Sequence, residues 1–177
     1  MRHLFLGIFA LSLCPACDAP SAQETRVVMP DGFESVQIGM SVDAAETSLG
    51  SSLDPRANAD PEGCVQGVRV DGKDPEILYM IEGGKIVRID VVRAGPEGAK
   101  PFTSEFGIGV GSTEAELERA YGAKAVQEPH PYTYDEGGHL YIVESGNNAL
   151  IFETFGGKVT TFRGGAHPQV DYKESCL

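Results

Sequence analysis

The chain has 177 residues, 41% of them hydrophobic and 23% charged, enough to bury one ordinary core and unlike a disordered segment. Asp and Glu outnumber Lys and Arg 26 to 14, a net charge of −12, and no stretch gathers the basic residues into a stripe. That balance sets the chain against nucleic acid and anionic membrane surfaces, which it would repel.

In chain order, the first segment reads as a targeting leader. Arg2 and His3 precede an apolar run, LFLGIFALSL, from Leu4 to Leu13. A run of that length falls short of the roughly 20 residues that span a bilayer and suits the apolar region of a secretory signal. The next residues, CPACDAPSAQ, admit two endings. Ala16-Cys17 resembles the close of a bacterial lipobox, which makes Cys17 a lipidated N-terminus, although Cys14 stands where Leu is usual. Simple cleavage near Ala19 or Ala22 is the other. Residues 1–22 are assigned to leader, lipobox and linker. The protein is then periplasmic or held by a lipid at the envelope, with secretion as the alternative.

Past the leader only Cys64 and Cys176 remain. Two cysteines in an oxidising compartment are expected to form one disulfide, which here ties a tail, residues 166–177, back to the body. A reactive thiol or metal pair is the alternative, though no CxxC survives beyond the leader.

The body reads as one unit written twice. GMSVDAAETSLG at 39–50 matches GSTEAELERAYG at 111–122, and EGCVQGVRV at 62–70 matches EGGHLYIVE at 136–144. YMIEGGKIVRIDVV at 79–92 matches FETFGGKVTTFRGG, 73 residues on. The predicted repeats are 32–93 and 102–165, joined by a Gly- and Pro-rich stretch at 94–101.

Each repeat is expected to open with a short helix. Ser41 and Thr113 stand as N-caps, Glu116 completes a capping box, and Gly50 and Gly122 mark the ends. Strands follow at 64–70, 77–82 and 85–92, then at 139–144, 149–155 and 158–163. The pairs Gly83-Gly84 and Gly156-Gly157 supply two-residue hairpin turns. Strict alternation puts Ile77, Tyr79, Ile81, Val87, Ile89 and Val91 toward the first helix, and Leu150, Phe152, Thr154, Thr160 and Phe162 toward the second. The fold class expected is α+β: two tandem repeats, each a short helix on an antiparallel three- to four-stranded sheet, packed together, with one continuous sheet as an alternative.

A Gly-x-Ser/Thr opening, a short helix ending in Gly and an antiparallel meander together resemble the BamE-like (SmpA) envelope lipoproteins. Doubled over 32–165, the pattern is similar to the secreted β-lactamase-inhibitory protein. The resemblance implies a fold and a protein-binding role without catalysis. The chain has no Trp and no Cys pair within each repeat, so no inhibitory contacts carry over.

No motif for chemistry emerges. The histidines beyond the leader, His130, His139 and His167, form no HExxH, and GxSxG, P-loop and GxGxxG patterns are missing. No catalytic residue, metal ligand or cofactor is therefore assigned. The richest stretch is PHPYTYDEGGHLY at 129–141, a candidate binding loop of His130, Tyr132, Tyr134, His139 and Tyr141. Its aromatics have no counterpart in the first repeat, and tyrosine offers contact area with little entropy to lose. Filling the edge of a core is the alternative use for Tyr132 and Tyr134. A second candidate is an apolar patch of Leu78, Met80, Ile151 and Phe155 on the sheet face away from the helices, with cover by the other repeat as the alternative. The function expected is a non-enzymatic protein-binding or scaffold module of the bacterial envelope, its partner another envelope or secreted protein. The alternative is a secreted inhibitor of a hydrolase, such as a β-lactamase or cell-wall enzyme.

Overall fold

A computed structural model describes residues 26–55, 63–95 and 101–176. The leader reading, with the lipidation of Cys17, falls outside the described residues, as does most of the polar stretch of the first repeat, 56–62.

The chain opens with three short strands, β1 (Arg26–Met29), β2 (Gly32–Phe33) and β3 (Val36–Gln37), then helix α1 (Val42–Leu49). Strands β4 (Leu53–Pro55), β5 (Cys64–Arg69), β6 (Ile77–Glu82) and β7 (Lys85–Val91) follow, then β8 (Phe102–Thr103) and helix α2 (Glu114–Tyr121). The last four strands are β9 (Ala125–Pro129), β10 (His139–Ser145), β11 (Asn148–Phe155) and β12 (Lys158–Ala166). One sheet runs β4-β5-β6-β7-β12-β11-β10-β9, and a small one runs β3-β2-β1-β8.

Both helices start and stop where cap chemistry places them. Ser41 Oγ accepts the Ala44 N–H, and Gly50 takes a left-handed φ of 62°. Thr113 and Glu116 close a full capping box. Both glycines of each hairpin turn have positive φ, 56° and 71° at Gly83-Gly84 and 58° and 75° at Gly156-Gly157, a requirement that glycine meets without strain.

The expected α+β class of two helix-on-sheet repeats is overturned. Of the described residues 45% are strand and 18% helix, and they form sheets of eight and four strands and two α-helices. Strand β7 pairs with β12, from Phe162↔Val91 to Gly165↔Arg88, so the two halves share one sheet. They also share one core: Val28, Phe33, Ala45, Ile89, Leu117, Tyr121, Phe152 and Phe162 belong to a single buried cluster. The physical reason lies in the helices. At eight residues each they bury only Ala45, Leu117 and Tyr121, too little to seal separate sheets, and the small sheet covers part of what remains. Gly164 permits that covering, because a Cβ there would meet Met29 O at 2.2 Å. The Arg26 guanidinium, 4.9 and 5.4 Å from the Phe33 and Phe102 ring centres, binds Glu34 and Asp74 and pins the small sheet in place.

Two β-bulges correct the expected faces. Between Met80 and Ile81 the register shifts, so that Ile81 pairs with Ile86. Ile86 therefore enters the core, and Val87 turns to the other face beside Met80. The same slip between Glu153 and Thr154 buries Val159 in place of Thr160. One extra residue reverses the side-chain parity beyond it.

Candidate binding site

The predicted binding loop connects β9 to β10, and backbone bonds hold it tightly. The His130 N–H donates to Gly138 O at 3.0 Å, and the Tyr134 N–H donates to His130 O at 3.0 Å. A 3-10 turn, Tyr134–Glu136, ends at Gly137 with φ 81°. On this frame Tyr132 is 60% and Tyr134 64% exposed, so neither fills the edge of a core.

The five residues grouped in the sequence divide between the two faces of the sheet. His139 and Tyr141 lie on the helix face. His139 Nδ1 is 2.9 Å from Glu114 Oε1, which also accepts the Thr154 hydroxyl. Desolvation alone would raise the Glu114 pKa, but hydrogen bonds from Thr154 and His139 hold it below the usual value. Tyr141 is buried; its hydroxyl donates to Glu118 at 3.0 Å and accepts from Gln127 at 2.9 Å. Burial first and the Glu118 carboxylate second drive its pKa up. These two residues brace α2 against β9–β11.

His130 and Tyr132 belong to the opposite face. The His130 ring stands 5.9 Å from that of Tyr132, its Nδ1 accepts the Tyr132 N–H at 3.3 Å, and its Nε2 lies 3.6 Å from Glu153. The Tyr132 hydroxyl is directed to Glu174, which raises its pKa.

That face is occupied by the C-terminal tail, and the expected apolar patch is not exposed. Leu78, Met80 and Ile151 are buried, and of the four residues only Phe155, at 45%, meets solvent. Val170 packs on Leu140, Ala149 and Ile151. Cys64 and Cys176 form the expected disulfide, with Cα atoms 5.5 Å apart, and it packs against Met80 and Val87. Two buried arginines hold the tail by its backbone. Arg88 donates to Gln169 O at 3.1 Å, Tyr172 O at 2.7 Å and Ser175 Oγ at 3.0 Å, while its Nε binds Asp90 at 2.9 Å. Arg163 donates to Val170 O at 2.6 Å and pairs with Glu153. Charged groups in mid-strand, which alternation assigns to solvent, are the anchors of a strap.

Between the strap and the strands lies a cleft of about 260 Å³, floored by Leu78 and Val92 and walled by Glu153, Arg163, Lys173 and Glu174. Through Glu174 and Glu153 it adjoins Tyr132 and His130, so loop and cleft form one surface. Sequence reasoning missed Arg163, Lys173 and Glu174. Two arginines among apolar alternating positions, Arg88 and Arg163, were the available signal. Two further clefts, of about 260 and 300 Å³, flank the half-exposed Phe106 near α2. Among the described residues no group of three or more His, Cys, Asp or Glu side chains is placed to hold a metal ion, and no helix is long and apolar enough to cross a membrane.

No family model matches the chain, and no curated protein matches it in sequence. In structure it is similar to a crystal structure described as an extracellular protein containing a SCP domain from Bacillus anthracis str. Ames, at 10% identity and a TM-score of 0.46. The match covers 89% of this chain and 50% of that one. A likeness that distant carries neither fold nor function across.

Proposed function

We propose that the chain is an exported, non-enzymatic binding module of the bacterial envelope, with its contact surface at the end of the sheet that bears Tyr132 and Tyr134. One observation carries this reading: two tyrosines stand more than half exposed on a hydrogen-bonded loop fixed to a continuous sheet. Such rings offer apolar area and a hydroxyl while surrendering little entropy on contact. The Cys64–Cys176 disulfide supports export, because such bonds persist in oxidising compartments. The carboxylates Glu114, Glu118 and Glu153 are engaged by Thr154, His139, Tyr141 and Arg163, an arrangement that supports bracing rather than acid–base chemistry. This is the class of role that the resemblance to envelope lipoproteins implies. The partner is another envelope or secreted protein.

Capture from solubilised envelope, with the wild-type chain and a Tyr132→Ala/Tyr134→Ala variant side by side, tests the reading. Each substitution is expected to weaken binding by about 1–3 kcal/mol. Recovery of envelope machinery by wild type alone supports the module, whereas recovery of one soluble hydrolase points to an inhibitor. Equal capture by both chains refutes the proposed surface. Lipid attachment at Cys17 is a separate element of the proposal, decided by the intact mass of the exported protein: a free N-terminus beyond residue 17 ends it.

A further inference from the structure

Two cationic side chains on the tail face keep donors that no hydrogen bond uses. Arg163 is 3% exposed; its Nε and Nη1 are engaged, but Nη2 is buried with no hydrogen bond. Lys173, half-buried on the strap, makes no ion pair or hydrogen bond among the described residues. Burial first, and the charge of Arg163 second, lower its pKa, while Asp171, Glu153 and Glu128 oppose the fall. Native proteins seldom leave buried polar groups unsatisfied, and a charged donor left so is strongly disposed to take an acceptor.

The residues Arg163 and Lys173 both line one cleft, whose floor is the apolar pair Leu78 and Val92. The charges around it balance: Arg88, Arg163 and Lys173 face Asp90, Glu153 and Glu174. Each added negative charge on a ligand adds repulsion from the three carboxylates, so a single negative charge beside an apolar body suits the cleft better than a dianion.

We infer that this cleft is a monocarboxylate site, in which a ligand carboxylate engages Lys173 and the free edge of Arg163 while an apolar body lies on Leu78 and Val92. The inference deepens the binding reading above and rests on it where the carboxylate is the chain terminus of a partner. A free organic acid is the other source of the same chemistry.

The test follows the Lys173 Cε–Hε signals by NMR in the purified protein. It is titrated with a short peptide ending in a free leucine carboxylate, the same peptide amidated, hexanoate, and inorganic phosphate. The expected result is a saturable shift and a raised Lys173 pKa with at least one free carboxylate and none with the amide. Phosphate should bind at least about tenfold more weakly, and Lys173→Gln, followed by the backbone amide signals of Glu174 and Ser175, should lose about tenfold in affinity. Binding of the peptide but not hexanoate identifies a chain terminus, and equal binding identifies a free acid. No shift with either acid at tens of millimolar overturns the site, as does equal binding of the amide or of phosphate. A null result with partner capture intact leaves the Tyr132 and Tyr134 surface standing; lost capture with carboxylate binding intact does the reverse.

Discussion

On the helix face of the large sheet Tyr79, Phe152 and Phe162 are fully buried within one apolar cluster under α1, α2 and the small sheet. On the tail face the same strands place Arg88, Asp90, Glu153 and Arg163 at or beneath a short covalently tethered strap. The first face is closed by area, which is non-directional, and it buries even the Tyr79 hydroxyl without a hydrogen-bond partner. The second is closed by direction, through guanidinium hydrogen bonds to backbone carbonyls and a disulfide, and so it can keep a polar cleft. The difference teaches that one sheet can close one side by apolar area and the other by directed bonds around a polar cleft. The bulges at Met80/Ile81 and Glu153/Thr154 decide which residues go where.

The comparison breaks most severely at Phe152. Its ring stacks on Phe162 at 5.5 Å between centres, and Phe152→Ala is expected to cost about 3–5 kcal/mol in equilibrium unfolding. A loss below about 1 kcal/mol would deny the helix face its role. Breaking the other face should cost less. Cys176→Ser removes a link across a sequence separation of 112 and is expected to cost about 2–4 kcal/mol. The core signals of Phe152 and Phe162 should persist in NMR spectra. Reductant should destabilise wild type equally and leave the variant unchanged; an additional loss in the variant would contradict the assignment.

A smaller effect sharpens the picture at the root of the strap. His167 Nδ1 lies 2.7 Å from Asp171 and its Nε2 3.0 Å from Glu144, and these hydrogen bonds, Asp171 first, raise its pKa. A raised folded pKa means stability fully present below the unfolded value, near 6.5, and lost as pH climbs through the folded value. Because the partners are exposed, the change should be only about 0.5 kcal/mol. Unfolding measured from pH 6 upward should show it in wild type and not in His167→Gln; an equal slope in both would remove His167 from the account.

Many local elements of this fold were legible, while its class, mostly β and not α+β, was not. Ser41, Thr113 and Glu116 marked the helices, the Gly-Gly pairs the two hairpins, and Cys64 and Cys176 their own bond. The bulges were not legible, since one added residue leaves no trace in composition, and so Val87 and Thr160 were assigned to the wrong face. Strands β4 and β9 were missed because both are short and end at proline, with little alternation to mark them. Of the site, Tyr132 and His130 were found through their aromatic surroundings. The tether of the tail was found through Cys176, but its course over the sheet was not, because among the described residues its regular element is a three-residue 3-10 turn, Gln169–Asp171, and Lys173 on a tail carries no periodic signal at all.

The central claim is that Tyr132 and Tyr134 serve recognition and not the fold. The Tyr132→Ala/Tyr134→Ala double variant tests it most directly when unfolding free energy and partner capture are measured on the same preparation. The account predicts stability within about 0.5 kcal/mol of wild type, as for surface sites away from structural features, together with loss of capture. A fall of about 3–5 kcal/mol, the cost of truncating buried aromatics, or capture equal to wild type, would contradict it.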